Sequence, residues 1–516
     1  MRRPLLAALC TLGFTSSAAA LPTADEVKAN VRRAVGFDAF RKLDHGLDLD
    51  GKAEFFGLPG TFRMRLHPDG RYARVVTAAG CPHAVGFDGK TRWAQNFNNP
   101  PLDLHFEEAD RDRFLFGVLC HRWLAADGGF TTAVDEKASR AYRLELVLTH
   151  PDAGVAARLV VDPATWLPDL LTIPGGHQPR LLDFSDYRIV SGVTLPTRVG
   201  QNRFEGGQWV AAERAGPAAA GGPDPFARPP ARAEVRFDPA APARLEARRA
   251  SGGMMLVRGA VDGKAAAWFL LDTGNGAQTV VSAGWADRLG LPASGGIQLA
   301  GTGGQTRGRF RTADRFAVGP ATIPRPVFMD SPAGLAAAVS QSVGVEVGGF
   351  LGQDFLFRVV VEINPGAGTV AVHDPAGYRL PAGGAWEPVR FNGRAPCVRA
   401  AFDGKHAGWY GFDSGFEAPL VFNHPAVVRG KLLDGRETTT HTLVGVGGEE
   451  SVREGAGGEF RVFGRAGRVT RALYATAPAG GHSDPYTLGT FGPSALGPGT
   501  VVLDYPNSRI GFVPSE

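Results

Sequence analysis

Apolar and polar positions alternate with two different periods along this chain. From Thr23, "TADEVKANVRRAV" returns a valine every four residues, at Val27, Val31 and Val35, which is the spacing of one helical face. Thr23 stands where an N-cap belongs, and Asp25 and Glu26 fall in the first turn, where the helix dipole favours acids. The period then drops to two. In "TFRMRL", Phe62, Met64 and Leu66 point one way and Arg63 and Arg65 the other, as in a strand with one buried face. "YRLELVL" from Tyr142 and "ARLVVD" from Ala157 continue the alternation, and "DYRIVSGVTLP" ends the run near Val199. The pattern predicts a helix packed on a curved antiparallel sheet over residues 21–210. Residues 211–248 lose the periodicity and are dominated by Ala, Pro, Gly and Arg, which predicts a linker.

From residue 249 the pattern occurs twice. "AAAWFLLDTGNGAQTVVS" returns as "HAGWYGFDSGFEAPLVFN". Each copy leads into a short helical stretch, "AGWADRLGL" and "HPAVVRGKLL", and then a glycine pair in a hairpin, "LAGTGGQTRG" and "LVGVGGEESV". "GGFLGQDFL" then matches "TLGTFGPSAL", and each half closes on two strands. The acids Asp272 and Asp413 lie 141 residues apart, and Gly352 and Gly492 lie 140 apart. An internal repeat with this spacing divides the region into lobes at 249–380 and 381–516. In each lobe an apolar strand delivers a carboxylate among small residues. A buried acid is costly unless paired or hydrogen-bonded, so two such acids in matched positions suit a pair that shares a proton.

These triplets, Asp272-Thr273-Gly274 and Asp413-Ser414-Gly415, with Phe350-Leu351-Gly352 and Thr490-Phe491-Gly492, resemble those of the pepsin and retropepsin superfamily of aspartic peptidases. The resemblance covers about the last 265 residues. It implies a mainly β fold with a bilobal, double β-barrel arrangement, and an aspartic-type endopeptidase acting on peptides or proteins. Asp272 and Asp413 are then the catalytic acids. Thr273 and Ser414 hydrogen-bond across the pseudo-dyad, Gly274 and Gly415 admit close backbone, and the strands near Gly352 and Gly492 pack against the loops. The hairpins at Gly303-Gly304 and Gly447-Gly448 become candidate flaps. Asn275 and Phe416 directly follow the triplets, and a non-catalytic exported protein that binds peptide or lipid is the alternative reading. By pattern alone, residues 20–200 resemble the periplasmic lipoprotein-carrier fold, which implies a hydrophobic ligand in the N-terminal sheet or, for the Phe-rich "DRFLFGVL", ordinary core.

Composition narrows the remaining classes. The 70 glycines and 38 prolines among 516 residues favour turns and short strands. A net charge of +4 without a basic block gives no electrostatic basis for nucleic acid. "MRRPLLAALCTLGFTSSAAA" has the basic start, apolar stretch and small-residue end of a signal peptide cleaved near Ala20. It predicts export to the periplasm or medium. No later apolar run reaches the ~18 residues of a membrane-spanning helix. Cys81 and Cys120 suit a disulfide in an oxidising compartment, with two buried thiols as the alternative, and Cys397 is left over. His83 and His121 lie near cysteines but in no metal-ligand spacing, so no metal and no cofactor are expected.

Overall fold

The computed structural model describes residues 20–515, apart from 80, 98, 176–178, 202–207, 231–233, 265, 277, 303 and 332–333. Residues 1–19 of the predicted signal peptide, which runs to Ala20, and the candidate flap residue Gly303 lie outside the described residues. The first helix, Ala24–Ala34, begins as its sequence directs. The Thr23 side chain accepts from the Glu26 backbone N–H, and the Glu26 carboxylate accepts from the Thr23 N–H, a reciprocal capping box.

A 13-stranded antiparallel sheet follows. The chain meanders outward from Leu47–Phe55 to the edge strand Leu102–Asp103. It then crosses to the opposite edge, Thr131–Val134, and meanders back. The crossing is the helix Phe106–Leu119, which carries "DRFLFGVL". Its Phe114, Leu115, Phe116, Val118 and Leu119 are buried in the core beneath the sheet, and Phe116 stacks on Tyr72 with ring centroids 3.5 Å apart. This helix supplies the core itself, so the packing gives no support to a hydrophobic ligand held there.

Two expectations are corrected. The sheet does not end at residue 210, and the linker does not begin at 211. The strand Gln208–Pro217 pairs with Leu47–Phe55 on one side and Val193–Gln201 on the other, and so joins the two halves of the sheet. Its small side chains hid it, although Val210 and Ala212 alternate inward. Further on, Arg236–Phe237 and Ala247–Arg249 already pair with first-lobe strands. Cys81 and Cys120 are free thiols. Cys81 pairs in register with Ala78, whereas the Cys120 thiol lies 3.9 Å from the Arg71 carbonyl oxygen. The hairpin length between those points is about 20 Å at ~3.3 Å per residue, far beyond the ~7 Å Cα limit for a disulfide.

The rest of the chain forms two β lobes and a five-stranded sheet joining them. In space, the first-lobe strands run Met255–Val261, Ala267–Leu271, Val347–Leu351, Val280–Ser282, Val327–Ser331, Gly304–Thr312 and Ala293–Gly301. The second-lobe strands run Ala395–Phe402, His406–Phe412, Gly489–Phe491, Leu420–Phe422, Arg471–Ala475, Gly448–Ala456 and Thr438–Gly445. Position by position the two orders agree, as do the parallel and antiparallel senses of every pairing. In the joining sheet, Val360–Asn364 of the first lobe pairs with Gly499–Asp504 of the second. No helix among the described residues is long and apolar enough to cross a membrane.

The N-terminal sheet rests on both lobes. Phe56 and Phe97 pack on Phe310, with centroids 5.5 and 5.2 Å away. Phe106 meets Trp409 edge-on at 5.7 Å, and the Tyr486 hydroxyl donates to Asp110 at 3.1 Å. Leu102 is buried in the core shared by the lobes.

Candidate functional site

The two acids leave the ends of equivalent strands, Ala267–Leu271 and His406–Phe412. Each of those strands lies parallel to a second one that reaches the same end. The Asp272 N–H donates to the Leu351 carbonyl at 3.4 Å, and the Asp413 N–H to the Phe491 carbonyl at 3.0 Å. The strands before Gly352 and Gly492 therefore anchor the two loops. A Cβ on Gly492 would stand 2.4 Å from the Phe416 carbonyl oxygen, so only glycine lets that strand approach.

A crossed set of hydrogen bonds ties the loops together. The Thr273 hydroxyl donates to the Phe412 carbonyl and accepts from the Ser414 N–H, both at 2.8 Å. The Ser414 hydroxyl donates to the Leu271 carbonyl at 2.8 Å and accepts from the Thr273 N–H at 3.1 Å. Thr273 and Ser414 are 0% and 2% exposed. Buried hydroxyls with both functions used hold their partners firmly.

The carboxylates thereby face each other, half-buried. The Gly415 N–H donates to Asp413 Oδ1 at 2.7 Å, and the Gly274 N–H reaches the same oxygen across the interface at 3.3 Å. A Cβ on Gly274 would stand 2.3 Å from Asp413 Oδ2, and one on Gly415 2.9 Å from Asp272 Cγ. Each glycine thus makes room for the acid of the other lobe. The Asn275 N–H donates to Asp272 Oδ1 at 3.0 Å. Burial, and then the Asp413 charge, push Asp272 well above the ordinary carboxylate range. Burial also raises Asp413, opposed by the Gly415 and Gly274 N–H groups, by a hydrogen bond with Asp272 and by the charge of His482. The pair is therefore arranged to hold one proton between two acids.

Phe416 does not obstruct this arrangement. It packs against Ala418, Val421, Leu443, Val452 and Leu473 of its own lobe, and the exposed Glu417 beyond it accepts from the Ser251 hydroxyl at 2.7 Å. The candidate flaps are hairpins that turn between Gly301 and Gly304 and between Gly445 and Gly448. Their tips meet: a Cβ on Gly445 would stand 2.7 Å from Thr302 Cβ, and one on Gly301 2.5 Å from Val446 Cβ. The φ angles of Gly304, Gly447 and Gly448 are +125°, +89° and +127°, which suits glycine at these turns.

Sequence reasoning missed two features. The Glu450 carboxylate of the second hairpin holds His482 Nδ1 at 2.8 Å, with both residues buried. Beside the first triplet, a buried group of Gln278, Asp354, Arg358 and the N-terminal Asn99 backs the Asp272 loop. Such pairings join positions far apart in the chain and leave no periodicity. The one local signal was the "NNPP" turn at 98–101. His83 and His121 are buried and held neutral by desolvation, His83 down to about 3 and His121 to about 4. Among the described residues no group of three or more His, Cys, Asp or Glu side chains is placed to hold a metal ion.

Residues 257–355 match the family model of aspartyl proteases. The matched stretch contains Asp272, Thr273, Gly274 and Gly352 and ends before Asp413. It supports placing the first lobe in the aspartic peptidase superfamily. No curated protein matches the chain. Among solved structures the chain is similar to an aspartic proteinase from Irpex lacteus, at 12% identity and a TM-score of 0.36, over 54% of this chain and 98% of that one.

Two stability measurements check the site. Thr273→Ala leaves the Ser414 N–H and the Phe412 carbonyl unpaired, at a cost of about 2–4 kcal/mol in denaturant unfolding, and Thr273→Ser recovers most of it. Asp272→Asn tests the raised acid. The folded chain keeps a proton that the unfolded chain releases above the ordinary value of 3.8, so the wild type loses stability as pH rises from there through the folded value. The variant cannot ionise. Its melting temperature relative to wild type therefore rises with pH, and the difference is smallest in acid.

Proposed function

We propose that this protein is an exported aspartic-type endopeptidase that hydrolyses peptide bonds with Asp272 and Asp413. The observation that carries the reading is the hydrogen-bonded acid pair, held by crossed Thr273 and Ser414 bonds at the meeting of two lobes with one strand order. The common strand order also supports an origin of the lobes as a tandem repeat.

In this reading the two carboxyls bind one water between them. Asp413, charged and steadied by the Gly415 and Gly274 N–H groups, takes a proton from that water as it attacks the scissile carbonyl carbon. Asp272 gives its proton to the carbonyl oxygen, producing a neutral tetrahedral diol. Asp413 then gives its proton to the leaving nitrogen while Asp272 takes one from a diol hydroxyl; the C–N bond breaks, the carboxylic acid product forms, and the pair again holds one proton, on Asp272. The chemistry needs one proton on the pair. Activity falls in acid, where both are protonated, and in base, where both are ionised. The paired hairpins act as flaps that open to admit an extended peptide and close to exclude bulk water. The basic, apolar and small-residue start of the chain supports export, with a mature N-terminus near Leu21.

Hydrolysis of a peptide library by the purified mature protein, from about pH 3 to pH 7, tests the proposal. The expected profile is bell-shaped. Asp272→Asn and Asp413→Asn each lower the rate by at least about 10²-fold, and a statine-type inhibitor, whose hydroxyl stands in for the attacking water, abolishes it. A folded wild type that cleaves nothing across the range contradicts the proposal and leaves peptide binding without catalysis.

A further inference from the structure

We propose that Asn99, supplied by the N-terminal sheet domain, is a positioning residue for the acid pair, so that the peptidase lobes depend on that domain for the geometry of Asp272. The inference rests on the peptidase reading above and adds a functional residue outside the lobes.

Asn99 is 0% exposed, and both ends of its amide are engaged by the first lobe. Its Nδ2 donates to Gln278 Oε1 at 2.6 Å, and its Oδ1 accepts from Arg358 Nη1 at 2.9 Å. Its own carbonyl is held by Gln95 Nε2 of the N-terminal sheet at 3.0 Å. Gln278 lies in the loop that carries the acid. Asn275 Nδ2 donates to the Gln278 carbonyl at 3.2 Å, and the Asn275 N–H donates to Asp272 Oδ1 at 3.0 Å. The next residue, Thr279, gives its N–H and hydroxyl to Asp354 Oδ1, each at 2.7 Å, and its hydroxyl accepts from the Gly352 N–H at 3.1 Å. Asp354 and Arg358 are 2% and 1% exposed, and Arg358 also donates to the Asp354 carbonyl. Asn99 thus completes a buried polar ring behind the loop.

Among the described residues, the loop of Asp413 receives no hydrogen bond from the N-terminal domain. Its residue at the Gln278 spacing is Pro419, whose carbonyl accepts from the Gly492 N–H of the same lobe at 3.2 Å. The loop of Asp413 is thus held by the two lobes, while the loop of Asp272 is held partly from the N-terminal domain.

Removing Asn99 leaves the Arg358 guanidinium and Gln278 amide short of partners in a buried place, so the loop shifts or admits water. Either change weakens the burial and the facing charge that keep Asp272 protonated. The groups facing the pair are the Asn275, Gly274 and Gly415 N–H groups, His482, whose charge acts on Asp413, and the buried Tyr505. All of them remain.

The experiment compares full-length Asn99→Ala, Asn99→Asp, Gln278→Ala and the Asn99→Ala/Gln278→Ala double variant. Kinetics are run across pH, with thermal unfolding and a carbon-13 titration of the aspartate carboxyls. In Asn99→Ala we expect kcat to fall about tenfold or more with KM nearly unchanged, and the basic limb of the profile to move to lower pH. The Asp272 carboxyl titrates lower in parallel. Asn99→Asp keeps the Arg358 acceptor but loses the donor to Gln278, so its kcat falls to the level of Gln278→Ala. The double variant loses little more than either single one, because both cut the same chain of contacts. A folded Asn99→Ala protein with lower melting temperature but unchanged kcat, basic limb and Asp272 titration overturns the proposal and makes Asn99 interdomain packing only. The carboxyl titration reads the effect without turnover, so an inactive wild type contradicts the peptidase reading while still testing the positioning role.

Discussion

The crossed hydroxyls of Thr273 and Ser414 constrain the two acid loops to face each other. Each makes one bond as donor and one as acceptor to the opposite loop, all within 3.1 Å. Two carboxylates brought face to face repel unless they share a proton, and something must supply the work of holding them. Here the lobes do so, through four buried bonds and through strands that run in parallel to the base of each loop. The glycines follow from the same constraint. With a Cβ at Gly274 or Gly415, the acid of the other lobe has no room.

The arrangement is two-fold in outline and unequal in detail. The Gly415 and Gly274 N–H groups point at one oxygen of Asp413, the Asn275 and Gly274 N–H groups steady Asp272, and the loop of Asp272 is braced by another domain. The hairpins differ likewise. The second carries Glu450 bound to His482, and the residue at the corresponding spacing in the first is Thr306. A symmetric pair of acids has no reason to prefer one as proton carrier. In the proposed reaction these differences favour Asp272 as that carrier.

The lobes were legible in the sequence because their determinants are local and occur twice. An apolar strand, an acid, a hydroxyl and a glycine can be read without knowing what lies opposite, and the spacing of Gly352 and Gly492 repeats that of Asp272 and Asp413. The first helix was legible for the same reason, through Thr23, Glu26 and the valine spacing. What failed was non-local. Gln208–Pro217 is a strand because Leu47–Phe55 offers it a partner, and its alanines carry little β signal of their own. Cys81 and Cys120 are close enough in the chain to suggest a bond, but a hairpin holds them at opposite ends. Asn99 reads as a turn residue before two prolines, and only the fold shows that its amide enters the first lobe.

The measurement that goes most directly to the central claim is a pH titration of the aspartate carboxyls by carbon-13 resonance, with Asp272→Asn and Asp413→Asn to assign the signals. One carboxyl, absent in Asp272→Asn, is expected to stay protonated well above the ordinary 3.8, and to titrate lower once Asp413 is replaced. Two carboxyls that ionise independently near the ordinary value, each indifferent to loss of the other, would contradict a shared proton and the reading built on it.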